Sequence, residues 1–310
     1  MTAIGIPIPR DKPFDVVGVG QNAVDHLCSL AQFPTFNSKQ QMTSYAWQPG
    51  GQVATALVAL QRWGCRTAYI GSFGDDAAGQ LSRRSLAEEG VDLTGALQRA
   101  GTANQMAVIL VDQRSGERTV LVHRPDELTV RPKEILSDLV RSARVLHLDG
   151  YDLEAALAAA AWAREAGVAV VVDIDMRHGP VERLLALSDA AIVSEQFARD
   201  LTGEADPESA LGRLAAASGS PVVAITLGVR GVVARAGGTT LHVPSFPVQC
   251  VDATGAGDVF HAGFIYGMLR EWSLERALRF ANAAAALKCT RSGGRPGIPS
   301  VAEAEDLAVS

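Results

Sequence analysis

Apolar residues fall along this chain in two rhythms. Short, nearly unbroken runs recur: "FDVVGVG" (14–20), "ARVLHLDG" (143–150), "VAVVVDID" (168–175), "AAIVS" (190–194) and "PVVAITLG" (221–228). Strands this apolar are buried on both faces, which is the mark of a parallel sheet covered by helices. Between them lie "EAALAAAAWAREAG" (154–167), "VERLLALS" (181–188), "EQFARDLTG" (195–203) and "ESALGRLAAASG" (208–219), which read as helices. Nearer the start, "GGQVATALVALQRWG" carries Val53, Leu57 and Leu60 at helical spacing, with Trp63 just beyond and Gly64 as its stop. "RTAYIGSFG" reads as one short strand and "AAGQLSRRSLAEEG" as the next helix. "QMAVILVDQRSGERTVLVHR" gives two β-rich runs about a turn at Ser115–Gly116, and "GVVARAGGTTLHVPSF" gives a hairpin for the sheet edge. Two long helices, "VFHAGFIYGMLREW" and "SLERALRFANAAAALKCT", follow. The β-rich pieces near 26–48 and 103–125 interrupt this α/β pattern. They predict a small sheet standing apart as a lid over a cleft, within one domain spanning residues 1–310.

Composition narrows the classes of function. With 47% hydrophobic and 20% charged residues in 310, the chain has the balance of a soluble globular enzyme. A formal charge of −6 points to neither nucleic acid nor an anionic membrane. Cys28, Cys65, Cys250 and Cys289 are scattered with no CxxC pair, so a reduced, cytoplasmic protein is expected. The start, "MTAIGIPIPRDKPFD", is no signal peptide, and no run of eighteen apolar residues predicts a membrane span.

The candidate chemistry begins with a decoy. "GVGQNA" (18–23) follows a strand and fits the dinucleotide-binding G-x-G-x-x-A. That fold needs an acid about twenty residues on, and none occurs between Asp25 and Asp75. Pro34 also stands where its first helix should run. Asp25 is read instead as the one carboxylate near the end of the first strand, where open α/β sheets bind ligands. A second stretch, "VDATGAGDVFHAGF" (251–264), sets Gly-Ala-Gly before an acid and opens a helix. Such a helix start presents unpaired N–H groups and positive potential, and glycines let an anion approach. A helix-capping role for the acid would need neither the glycines nor the second acid, Asp252.

"DATGAGDVFHAGF" resembles the C-terminal signature of the ribokinase family of carbohydrate kinases, the PfkB family. "GGQVATALVALQRWG" resembles its N-terminal signature, "ITLGVRG" its nucleotide-binding T-x-G-x-x-G, and "VDIDMR" its D-x-N-x-R segment. The four come in the family's order, and the likeness covers roughly residues 14–300. It implies a ribokinase-like three-layer sandwich with a mainly parallel central sheet and a small β lid. It also implies ATP-dependent phosphorylation of a sugar hydroxyl, with Asp258 as general base and the N–H groups of Gly255, Ala256 and Gly257 as an anion hole. Asp25, Gly50, Gly51, Gln52 and Thr55 would face the sugar. Ser194, Thr226, Gly228, Gly231 and Asn282 would line the nucleotide site, the alternative for Asn282 being a polar residue on an exposed helix face. Asp252 and Thr254 would hold a monovalent cation such as K⁺, with carbonyls of residues 290–297, or Asp252 would only shape its loop. Ribokinase carries Asn-x-x-Glu where this chain reads "SEQF", so Phe197 stands at the acid position and Glu195 would serve Mg²⁺ through water.

"GGQVAT" departs from the commoner Gly-Gly-Lys or Gly-Gly-Asn, which leaves the sugar open. "VSEQFARDLTG" and "ERTVLVHRPDEL" resemble ketohexokinase, and "RFANAAAALKCTRSGGRPGIP" resembles bacterial sulfofructose kinases, while no arginine for a sulfonate stands out mid-chain. A ketose-like sugar is favoured. A nucleoside kinase, or a non-catalytic sugar-binding or regulatory protein, are the alternatives. Lid sheets of this family often pair between subunits, so a homodimer is expected.

Overall fold

Alternation along each strand decides which side of the sheet a residue serves. Val16, Val145, Val171, Ile192 and Ala224 enter one buried cluster, while their chain neighbours Val17, Leu146, Val172, Val193 and Ile225 enter another. Successive side chains of a strand point to opposite faces, so one sheet feeds two hydrophobic cores. The structure, a computed structural model, describes residues 4–309. Residues 1–3 and Ser310, the two ends of the expected domain, lie outside them.

The elements run β1 (Phe14–Val19), β2 (Ala23–Leu30), β3 (Ser44–Gly50), α1 (Gln52–Arg62), β4 (Thr67–Ile70), β5 (Ser72–Gly74), α2 (Ala77–Glu88), β6 (Leu97–Arg99), β7 (Met106–Asp112) and β8 (Arg118–His123). There follow α3 (Ser137–Arg141), β9 (Ala143–Leu148), α4 (Leu153–Glu165), β10 (Ala169–Ile174), α5 (Glu182–Leu185), β11 (Ala190–Ser194), α6 (Glu195–Thr202) and α7 (Pro207–Ser218). The chain ends with β12 (Val222–Thr226), β13 (Val232–Ala236), β14 (Thr239–Val243), α8 (Ala256–Leu269), α9 (Leu274–Cys289) and α10 (Val301–Val309).

The central sheet has the order β14-β13-β12-β11-β10-β9-β1-β4. Its strands pair in parallel from β12 to β4, and β13 and β14 add an antiparallel edge. Helices α1, α8 and α9 cover one face, and α4 to α7 the other. Every residue of α8 from Val259 to Leu269 is buried. A helix apolar all round belongs inside, and this one lies between the sheet, α1 and α9.

Strands β3-β2-β7-β8 form the separate lid sheet, with a small core of Leu27, Ala107, Ile109 and Val111. The tip of its β7–β8 hairpin rests on the segment that leads to α8: the Gly116 carbonyl accepts the Ala253 N–H at 3.2 Å. A Cβ on Gly116, whose φ is 71°, would overlap Cys250.

Two expectations need correction. "RTAYIGSFG" is two strands, because the chain turns at Gly71, where a Cβ would overlap the Tyr69 hydroxyl and the Gly20 carbonyl. β4 stays in the central sheet and β5 leaves to pair with β6. Asp25 is not at the end of the first strand; β1 stops at Val19 and Asp25 stands within β2 of the lid. The four cysteines are free. Among the described residues no helix is long and apolar enough to cross a membrane.

Candidate active site

The N-terminus of α8 is built for close approach. Gly255 caps it at φ 78°, and a side chain there would overlap the backbone of Gly294. The Ala256 N–H leans on the Ala253 carbonyl at 3.2 Å, while the Gly257 and Asp258 amides of the first turn have no backbone acceptor among the described residues. A Cβ on Gly257 would meet no protein atom, so its Cα borders open space. Asp258 stands at the rim of that space, half-buried. Burial pushes its carboxyl up to about 8, with Asp175 and Asp25 adding to the rise and Arg118 and Arg295 opposing it.

The lid supplies the facing wall. Register places Asp25 of β2 opposite Gln48 of β3 and Ala107 of β7, and Val111 opposite Arg118 of β8. Paired residues share a face, so Asp25, Gln48 and Arg118 stand on the same side of the lid. Asp25 is 7% exposed. Burial raises it to about 7 against the pull of Arg295 and Arg118. A Cβ on Gly50 would overlap the Asp25 carboxylate, so the first glycine of the pair makes room for that acid. Gly51 starts α1 at φ 93°, tight against Asn22. Gln52 accepts from Gln21 at 2.9 Å and hydrogen-bonds Asp175. Thr55 is fully buried, and its hydroxyl accepts from Arg295 Nε at 3.4 Å, so Arg295 takes part of the polar capacity expected to serve a ligand.

Arg295, Arg118, Gln48, Asp149 and Asp175 escape the sequence reading. Arg295 is 4% exposed, and it donates to the Gly50 carbonyl at 3.0 Å and Ser85 Oγ at 2.9 Å. Burial lowers its guanidinium to about 10. Asp149, just past β9, accepts the Gln21 and Tyr151 amides at 2.6 and 3.0 Å, and burial lifts it to about 7. Asp173 in β10 lies 3.3 Å from His261 Nδ1, and burial holds it well above the usual carboxylate range. These acids mark the carboxyl ends of the parallel strands, where α/β sheets bind ligands.

On the expected nucleotide side, Ser194 caps α6 by accepting the Phe197 amide at 3.1 Å. Thr226 ends β12, and the turn after it closes on itself, Leu227 N to Gly231 O at 2.7 Å. A Cβ on Gly231 would overlap the Val243 carbonyl, whereas Gly228 borders open space at φ 58°. Asn282 is not on an exposed face. It is 4% exposed, and its amide donates to the Val243 and Pro244 carbonyls at 3.0 and 3.1 Å, pinning the chain after β14. Glu195 is held by Arg230 at 2.5 Å and faces Arg199 at 3.6 Å, so its carboxylate is already committed.

Asp252, expected to hold a monovalent cation, is already engaged by the chain. Both carboxylate oxygens of Asp252 accept backbone amides, from Thr254 at 2.8 Å and Gly293 at 2.7 Å. Its carbonyl accepts the Lys288 ammonium at 2.7 Å. Thr254 Oγ1 is buried without a partner among the described residues.

The clustered acids give stability an unusual pH dependence. Asp25 and Asp149 stand at about 7 and Asp258 at about 8, so between 4 and 8 the folded state holds protons that the unfolded chain has released. Stability from these groups therefore falls as pH rises. His147, lowered to about 3, and His261, lowered to about 4, act in the opposite sense, but only up to their unfolded value near 6.5. Above 6.5 the imidazoles no longer oppose the carboxyls. The thermal midpoint of the ligand-free protein should fall from pH 6.5 to pH 8, and Asp258→Asn should flatten that fall; a rising midpoint over this window would contradict the assignment.

The chain matches the pfkB family carbohydrate kinases over residues 14–301. It is 31% identical over 293 residues to a ribokinase of Haemophilus influenzae, covering 91% of this chain and 94% of that one. It is 35% identical over 283 residues to an ATP-dependent ribose-1-phosphate kinase of Halopiger xanaduensis, covering 90% and 93%. A solved structure from Agrobacterium tumefaciens, provisionally described as a ribokinase, superposes with a TM-score of 0.88 at 28% identity over 96% of this chain and 97% of that one. With the four ordered motifs and a helix start open to an anion beside a base-like Asp, this chain belongs to the pfkB family of carbohydrate kinases and is an ATP-dependent sugar kinase.

Proposed function

We propose that this kinase transfers the terminal phosphoryl group of ATP to a hydroxyl of a small ketose-like sugar held between Asp25 and Asp258. The observation that carries the reading is the pairing, across one cleft, of two carboxyls with no hydrogen bond from the described residues and the open amides of α8. Asp258 takes the proton of the attacking hydroxyl. The α8 amides and helix dipole stabilise the negative charge spread over the migrating group. Asp25 accepts sugar hydroxyls, and Gly50, Gly51 and Gln52 shape the floor beneath. Thr226, Gly228 and the turn closed by Gly231 receive the nucleotide phosphates.

Magnesium fits as an ion carried in on ATP. No group of three or more acidic, His or Cys side chains able to hold a metal occurs among the described residues, and Mg²⁺ commonly relies on substrate phosphates and water. When bound there it neutralises phosphate charge.

A second feature bears on the acceptor. Its hairpin neighbours Arg114 and Arg124 pair with Asp112 and Asp152. Arg118 has no such partner among the described residues. A free guanidinium on the Asp25 face favours a sugar that carries an anionic group. The lid itself offers a docking face: all of β8 is exposed, as are Tyr45 and Trp47 of β3. Such an edge invites pairing with a second copy of this chain, which supports a homodimer.

The test is ATP-dependent product formation on fructose, ribose, sulfofructose, ribose 1-phosphate and a set of nucleosides. Turnover of nucleosides alone, or of nothing, would overturn the sugar reading. Gly257→Ala separates the helix from its use. Replacing a helical Gly by Ala adds about 0.5–1 kcal/mol of helix stability, and the methyl meets no protein atom. The variant should melt at or above the wild-type temperature and still lose turnover, because the methyl stands where the phosphoryl group must come. Unchanged turnover would move the anion elsewhere.

A further inference from the structure

Lys288 is the one lysine buried completely, at the last turn of α9. Its hydrogen bond goes to a single neutral backbone oxygen, the Asp252 carbonyl. Keeping an ammonium in such a place is costly, and an apolar side chain of similar length would pack there more cheaply. Its position says what the charge serves. Asp252 begins the loop that ends at Asp258, and that loop is locked on both sides: by the Asp252 carboxylate on the Thr254 and Gly293 amides, and by Gly255 against Gly294. The ammonium therefore stands behind the segment whose forward side is the open end of α8. The carbonyl it holds belongs to Asp252, the residue at which a monovalent cation was expected.

We propose that Lys288 is a built-in cation for the anion hole, taking over the part of a monovalent ion and freeing the enzyme from potassium. It touches neither sugar nor nucleotide; it is a positioning residue that fixes residues 252–258 and adds positive potential behind the α8 amides. The proposal rests on the kinase reading given above.

Wild-type turnover in KCl, NaCl and choline chloride at equal ionic strength should agree within about twofold, since screening is then the same. Several-fold activation by K⁺ would overturn the proposal. Lys288→Met removes charge and hydrogen bond, whereas Lys288→Gln removes the charge and keeps an N–H donor on a side chain one atom shorter. Both should lose about tenfold or more in kcat in choline chloride, with KM for the sugar little changed. KCl should restore much of the loss in Lys288→Met, because the vacated carbonyl can now bind the ion. A merely structural hydrogen bond would leave Lys288→Gln normal, and that result overturns the proposal. The thermal midpoint gives a readout that needs no substrate: K⁺ should raise it over choline in Lys288→Met and not in wild type. Equal midpoints in the two salts for the variant would count against the inference even if the protein proved not to be a kinase. If Lys288→Met does not fold, Lys288→Gln carries both measurements.

Discussion

Asp258→Asn should fold, bind ATP as wild type does, and lose about 10²–10⁴-fold in kcat on its best sugar. The amide has the size of the carboxyl. Because burial pushes the Asp258 carboxyl up to about 8, the surrounding packing already accommodates an uncharged group at pH 7. What the amide cannot do is take a proton. The same value sets a companion expectation for wild type: kcat/KM should climb with pH until the base is ionised near 8, while the variant's residual rate should not follow that curve. Turnover on a panel sugar, with ATP affinity by calorimetry, checks the result; near-normal turnover would remove Asp258 from the chemistry.

Asp25→Ala should cost about 10²–10⁴-fold in kcat/KM for the true sugar, with ATP affinity changed by no more than about twofold. A carboxylate accepting hydroxyls makes charge-assisted bonds, stronger than neutral ones. Sites built around such a polar contact discriminate strongly because a buried acceptor without its donor is penalised. The change also reaches the other side of the cleft. Asp25 is one of the charges that hold Asp258 high, so the pH at which the residual activity rises should move downward in Asp25→Ala. Wild-type efficiency in the variant would place the sugar away from the lid.

The reaction-centre side was legible because local chain geometry and chemistry coincide there. Gly255 and Gly257 announce a backbone that must be approached, Asp258 follows at once, and the apolar runs state which strands lie inside. The lid side was not. Arg118 and Gln48 reach the cleft through strand register, and register is a property of pairing that no single segment displays. Asp25 was assigned to the wrong strand for the same reason, since the apolar run of β1 passes through two glycines into β2. Arg295 and Lys288 are charged residues in a tail that reads as surface; only tertiary packing buries them. The burial of Asn282 could not be read because α9 is nearly all alanine around it, so periodicity could not tell its inner side from its outer.

The contact between Gly116 and Ala253 ties two parts of the cleft that the chain keeps 137 residues apart. Any outward swing of the hairpin must either break that backbone hydrogen bond, at about 1 kcal/mol, or drag residues 250–253 with it. Admission of the acceptor and the shape of the phosphate site are thus mechanically geared. A glycine substitution at the tip of the hairpin, remote from every reacting atom, would be felt as slack in the loop that positions the base.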